Sequence, residues 1–292
     1  MTHRLLLDTS SLAYRAFFAL PATITDSDGR AVNAVRGYLD MVAHLTRTYE
    51  PDEVAHCLDH DWRPAPRVAA YSGYKSDRLP DPEELPWQFA LLREVLGAFG
   101  AVQVWAEGWE ADDAIGTLCA QGGGGDCLEI VTGDRDLLQL VRDAADGNGP
   151  VVRLLFTVKG VKELARFDER GVQEKYGVPA ARYVDFAILR GDPSDGLPGV
   201  SGVGEKTARD LVTEHESLDA LLAAAGKLTK RLGERVEAAA DYLETMKSVV
   251  PVRRDLTLVV ERGERDDARL DELAARHAIE GPVGRLREAL DA

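Results

Sequence analysis

No stretch of the 292-residue chain approaches the roughly eighteen consecutive apolar residues that span a bilayer. The opening run MTHRLLLDTSSLAYRAFFAL is broken by Asp8 and Arg15, which argues against a secretory leader. Cysteine is scarce. Cys57, Cys119 and Cys127 are the only three, and their spacing matches neither a zinc ribbon nor a disulfide framework, so a reducing cytoplasm is expected. Basic charge is in deficit: 35 Lys and Arg face 50 Asp and Glu, a net charge of −15. An isoelectric point near 4.9 excludes a uniformly basic nucleic-acid surface, unless the acids are gathered in one place to hold cations. Internal repeats, heptad arrays and low-complexity tails are absent, and G-x-x-x-x-G-K-[ST] is not matched, so the chain is not a P-loop protein. What is present is ordinary for a soluble, core-forming chain of one large or two modest domains: 45% hydrophobic and 29% charged residues.

Apolar runs ending in a carboxylate, Arg4–Asp8 and Val54–Asp59, predict strands. Val102–Trp105, Leu128–Thr132 and Val151–Phe156 predict three more. Between them, helices are expected at Leu12–Leu20, Val32–Tyr49, Trp87–Phe99 and Asp112–Ala120, with another beginning at Leu137. The proline-rich Leu79–Pro86 and the glycines Gly122–Gly125 read as connections. This alternation implies an α/β domain with a mainly parallel central sheet and flanking helices. From about Val172 the pattern turns helical, at Ala180–Arg190, Glu205–Glu214, Leu218–Ala225, Gly233–Val249, Asp267–His277 and Val283–Leu290, with a late strand at Leu256–Val260.

The positions of the acids carry more information than their number. Asp8 and Asp59 end predicted strands, Asp134 and Asp136 follow one in T-G-D-R-D, and Glu110, Asp112 and Asp113 open a helix. In a parallel sheet the carboxyl ends of strands and the adjoining helix starts form one edge. Asp192 and Asp195, in R-G-D-P-S-D-G, add a fifth segment. So many carboxylates repel one another unless hard divalent cations, Mg²⁺ or Mn²⁺, lie between them. Two or more such ions suit displacement at a phosphodiester. The plainer readings are helix-start charge for Glu110, Asp112 and Asp113, and a simple turn for Asp134 and Asp136.

A second constellation is L-P-G-V-S-G-V-G-E-K-T-A, in which Gly199, Gly202 and Gly204 precede a helix carrying Lys206 and Arg209. Helix starts and bare backbone suit phosphate, and the loop resembles a helix–hairpin–helix; an ordinary helix-joining turn is the alternative. In Y-S-G-Y-K-S-D-R, a helix would put Lys75 and Arg78 on one face to hold a phosphate, and would leave Tyr74 to stack on a base. A solvated basic turn is the alternative. Arg15 is placed to reach a backbone phosphate, or is a surface arginine.

The stretches LLLDTSSLAYRAFFAL, YSGYKSDR, GWEADDAIGTL, IVTGDRDLLQL and LRGDPSDGLPGVSGVGEKTAR, in this order, resemble the 5′-nuclease superfamily of flap endonucleases, phage 5′–3′ exonucleases and the 5′-nuclease domain of DNA polymerase I. The resemblance implies a PIN-like α/β core over 1–175, with an arch at about 62–88 that admits the 5′ strand. A helical DNA-binding region follows over 176–292, with a helix–three-turn–helix at about 185–225 and closing helices. It implies metal ligation by Asp8, Asp59, Glu110, Asp112, Asp113, Asp134, Asp136, Asp192 and Asp195, some of them through water, and assistance at the phosphate from Lys75 and Arg78. Duplex binding and a K⁺ ion at the Gly199–Gly204 loop belong to the same pattern. The family's F-D-A-K is L-D-H-D-W-R here, so Asp61 competes with Asp59, which is favoured because it ends the strand. S-D-N-L-P-G is S-D-G-L-P-G, with Gly196 in place of Asn. The expected protein is a free-standing, monomeric 5′–3′ exonuclease and flap endonuclease. Its substrate is branched or nicked DNA with a 5′ single strand, or an RNA–DNA hybrid, and no clamp-binding tail is recognised at Gly281–Ala292. A non-catalytic binder of DNA structures and a smaller PIN-type ribonuclease are the rivals.

Overall fold

The computed structural model describes residues 2–143 and 149–292. The first half alternates strands and helices: β1 (His3–Asp8), α1 (Thr9–Ala19), α2 (Asn33–Tyr49), β2 (Glu53–Cys57), α3 (Ala65–Ala70), α4 (Leu85–Ala98), β3 (Val102–Trp105), α5 (Ala111–Gln121), β4 (Cys127–Thr132), β5 (Val151–Thr157) and β6 (Leu164–Phe167). Helices then dominate: α6 (Glu169–Tyr176), α7 (Tyr183–Arg190), α8 (Glu205–Glu214), α9 (Leu218–Ala223), α10 (Lys230–Ala238) and α11 (Ala240–Val249). The chain ends with β7 (Val259–Glu261), α12 (Asp267–His277) and α13 (Glu280–Leu290).

Among the described residues seven strands form one sheet, in the order β6-β5-β4-β1-β2-β3-β7. The inner five are parallel, with β6 and β7 antiparallel at the edges. Helices cover both faces, which is why β1 can be a run of leucines. Leu5 and Leu7 enter the layer built with α2, α4, α12 and α13, while Leu6 enters the opposite layer with α5, α7, α8 and α11. That alternation is the two-residue period of a strand. Each of these leucines is at most 1% exposed, and such burial is worth roughly 1.5–3 kcal/mol per side chain.

The closing helices lie against the first half of the chain. Leu270, Leu273, Val283 and Leu286 pack with Val35, Leu39 and Leu92 of the nuclease half, and β7 completes its sheet beside β3. The strand β6 had no sequence signal. The helix expected over Gly233–Val249 breaks at Ala239 into α10 and α11, and the one expected from Leu137 is a 3₁₀ turn, Asp136–Leu140. Tyr71–Arg78 is not helical but a series of turns with Lys75 at φ 51°. Among the described residues no helix is long and apolar enough to cross a membrane.

Candidate metal centre and nucleic-acid interface

The chain runs from β1 to β2 and β3 on one side, then returns to place β4 on the other side of β1. The carboxyl ends of β1 and β4 therefore flank a topological switch point, where open α/β sheets bind ligands. Asp8 stands there. It caps α1, accepting the Ser11 N–H at 3.1 Å, and its other oxygen accepts the Thr132 hydroxyl from the end of β4 at 2.6 Å. Asp59 lies two residues beyond β2 and accepts the Ala111 N–H at 2.7 Å, fixing it at the start of α5. Asp61 turns away into its own loop, accepting the Arg63 N–H at 2.9 Å.

Asp134 and Asp136 leave β4 in a tight turn, in which the Asp136 N–H donates to Asp134 at 2.8 Å. Asp192 is held by the Ser194 N–H at 2.9 Å and the Ser194 hydroxyl at 2.5 Å. Asp195 is buried and receives Arg78 at 2.8 Å. Glu110, Asp112, Asp136 and Asp195 line one small cleft together with Arg67 and Tyr74. Burial raises the Asp8 carboxyl to about 7, with the Asp59 and Asp134 charges adding to the rise against the Thr132 hydrogen bond. Burial and mutual repulsion also push Asp112, Asp134 and Asp136 up; Asp134 acts on Asp112 and Asp136, and Asp192 and Asp195 act on Asp134 and Asp136. Among the described residues no three His, Cys, Asp or Glu side chains close into a ready-made ligand cage. The fit is one of donor chemistry: an all-oxygen, strongly acidic ring suits hard divalent cations.

Asp113 does not join this ring. Arg67 grips it with two bonds of 2.7 and 2.8 Å, the Arg253 N–H adds a third at 2.8 Å, and the side chain is wholly buried. The placement makes Asp113 the partner of a structural ion pair and does not support counting it as a ligand. Glu110 stands between the two groups. It accepts Arg67 and the Tyr74 hydroxyl at 2.7 Å each, and also the Lys75 ammonium. Arg67 further donates to the carbonyls of Val249 at 2.9 Å and Pro251 at 3.2 Å. Nothing in the sequence singled out Arg67.

The expectation for Tyr74 is corrected. Its ring is only 5% exposed and its hydroxyl is committed to Glu110, so no face is left for a base. Lys75 and Arg78 do reach the acidic ring, but by turn geometry and through ion pairs with Glu110 and Asp195. Arg15 lies against Gly133, where an added Cβ would sit 2.7 Å from its Nη2, and its buried Nε has no partner among the described residues.

The glycine loop follows the acidic segment directly: Leu197, which lines the cleft, bridges Asp192, and the loop begins beyond it. Gly199 and Gly202 both have φ +68°, and their bare Cα atoms face protein rather than open space. A Cβ on Gly199 would lie 2.6 Å from the Arg190 carbonyl group, and one on Gly202 would lie 2.2 Å from Arg235 Nη1. Only Gly204, at the cap of α8, leaves its surroundings clear. Lys206 is exposed in the first turn of α8, while Arg209 leans over Gly177. Tyr242 braces the loop, accepting the Gly199 N–H and donating to the Ile188 carbonyl at 3.1 Å each.

Residues 3–177 match the family model for the 5′–3′ exonuclease N-terminal resolvase-like domain, and residues 178–273 match that for the 5′–3′ exonuclease C-terminal SAM fold. The chain is 44% identical to a 5′–3′ exonuclease of Streptomyces coelicolor, across 99% of this chain and 100% of that one. It is 41% identical to DNA polymerase I of Mycobacterium bovis over 87% of this chain but only 27% of the polymerase. Among solved structures, the T5 5′-exonuclease with bound divalent metal ions (zinc) superposes with a TM-score of 0.66 at 15% identity, covering 99% of this chain and 98% of that one. This last likeness speaks for the fold.

Proposed function

The chain belongs to the 5′–3′ exonuclease family, hydrolases of DNA phosphodiesters, and from that premise we propose that it is a divalent-metal-dependent, structure-specific nuclease cutting 5′ flaps and primers. The observation that supports this most is the meeting of Asp8, Asp112, Asp134, Asp136 and Asp195 around one edge of the sheet, where burial and the neighbouring carboxylate charges raise the proton affinity of Asp8, Asp112, Asp134 and Asp136. These residues, with Asp59 and Asp192 at the rim, would hold Mg²⁺ or Mn²⁺. Such ions, when bound, supply a water-derived nucleophile at neutral pH and neutralise charge on the leaving oxygen.

The rest is done by the chain itself. Lys75 and Arg78 carry cationic donors at the edge of the ring, where a scissile phosphate competes with Glu110 and Asp195 for them. Glu110 and the α5 start fix Lys75, and Arg15 offers a further donor beside Gly133. Lys206 and the open start of α8 bind backbone phosphate of the duplex without reading bases. The family pattern also puts K⁺ at the Gly199–Gly204 loop. The loop does offer carbonyl groups, but that of Gly202 already faces Arg235 at 3.5 Å. The substrate is branched or nicked DNA carrying a 5′ single strand, RNA primers included, and the protein acts as a monomer in the cytoplasm.

The test compares cleavage of a 5′-flap duplex, a blunt duplex and single-stranded RNA, with Mg²⁺, with Mn²⁺ and with EDTA. Flap cutting that requires metal is expected. Flap binding without cutting would indicate a DNA-structure binder, and preference for single-stranded RNA would indicate a PIN-type ribonuclease; either result overturns the proposal.

A further inference from the structure

Beside the glycine loop a cavity of about 420 Å³ opens between Pro198, Gly199 and Ser201 on one side and α10 on the other, with Arg231, Glu234 and Arg235 on the α10 wall and Tyr242 at its base. Arg231 and Arg235 are four residues apart and so share a helix face. Arg231 is exposed, and the half-buried Arg235 meets only the Gly202 carbonyl, at the long distance of 3.5 Å, among the described residues. In a protein of net charge −15, two guanidinium groups on one cavity against a single acid, Glu234, form a local positive field. Gly202 lies beside this guanidinium, a Cβ there coming 2.2 Å from Arg235 Nη1. Tyr242 holds the loop through Gly199 and Ile188. The planar fork of arginine matches a phosphodiester, and each such contact displaces counterions from DNA.

We propose that Arg231 and Arg235 bind backbone phosphate of the DNA duplex, so that α10 extends the duplex-binding surface beyond the loop and the start of α8. This rests on the reading of the protein as a DNA nuclease.

The experiment measures affinity for a fluorescent 5′-flap duplex with Ca²⁺ in place of Mg²⁺, over a KCl series and a parallel NaCl series. Wild type is compared with Arg231→Ala, Arg235→Ala, the double variant and Arg235→Lys. The slope of log affinity against log salt should become shallower by about 0.9 for each arginine removed, with affinity weakened about tenfold or more in the double variant. Arg235→Lys should keep the wild-type slope. Single-turnover cleavage with Mg²⁺ at saturating DNA should stay within about twofold, because these side chains line a different cavity from the acidic cleft. An unchanged slope in the double variant, with wild type binding and cutting normally, overturns this inference alone. So does a lost cleavage rate with slope and affinity intact. A wild-type protein that neither binds nor cuts flap DNA overturns the underlying reading, and this inference with it.

Discussion

At the scale of single residues, the site sets function against stability. Asp136 is a half-buried carboxylate whose proton affinity is raised well above the ordinary range, first by burial and then by Asp134, Asp195 and Asp192. Asp136→Asn keeps the shape and removes one repelling charge. Cleavage should fall by orders of magnitude, since metal positioning supplies several kcal/mol at the transition state, while the melting temperature in EDTA should rise. Flap-DNA affinity should stay within a few-fold, as Asp136 is not among the residues that line the cavity beside the glycine loop. An Asp136→Asn protein that cuts normally, or that melts lower than wild type in EDTA, would contradict this placement. The acids were legible because residue type, strand ends and helix starts together suffice to place a carboxylate. Tyr74 was misread because its motif suits a ligand, yet its hydroxyl meets Glu110, and no local pattern encodes a partner more than thirty residues away.

At the scale of elements, the short helix α3 is pinned rather than free. Arg67 leaves α3 to meet Glu110 and Asp113 at the start of α5 and the carbonyls of Val249 and Pro251 at the end of α11. Three elements distant in sequence thus share one buried guanidinium, 4% exposed. Removing one partner of such a pair strands the other charge, so Arg67→Ala should cost about 3–5 kcal/mol in urea unfolding. Pairing Arg67→Met with Asp113→Asn should recover much of that loss, a coupling that independent sites do not show. If the single variant unfolds like wild type, or the double variant loses as much as the single, the pin is not what holds α3. This is also where sequence reading stopped. Strands and long amphipathic helices follow from apolar period, and α8 and α12 fall at the residues expected. Turns such as Tyr71–Arg78 are instead decided by tertiary contacts. The Lys75 N–H donates to the Asp195 carbonyl at 2.9 Å and the Lys75 ammonium pairs with Glu110, and these overrode any helical preference.

At the scale of the whole molecule, a three-layer fold brings together acids from five segments that are far apart in sequence, and the net charge of −15 has its chemical meaning there. Folding without cations forces carboxylates into one another's field. Asp8 is raised from 3.8 to about 7 by burial and by Asp59 and Asp134, so its contribution to stability is present in full below about 4 and is lost as pH rises through 7. Asp112, Asp134 and Asp136 shift in the same direction. His56 runs the other way. Buried and neutral beside Tyr38, it is lowered from 6.5 to about 3, so it favours the fold above 6.5 and loses that contribution as pH falls toward 3. A melting curve against pH therefore mixes opposing terms. The difference between melting temperatures in millimolar Mg²⁺ and in EDTA isolates the acidic ring, because His56 contributes equally to both. Cations bind the deprotonated ring, so this increment should be small near pH 5.5 and grow through pH 7.5. In Asp136→Asn it should shrink at every pH. An increment independent of pH, or one as large in Asp136→Asn as in wild type, would mean that the cations stabilise the protein somewhere other than the sheet edge where these acids meet.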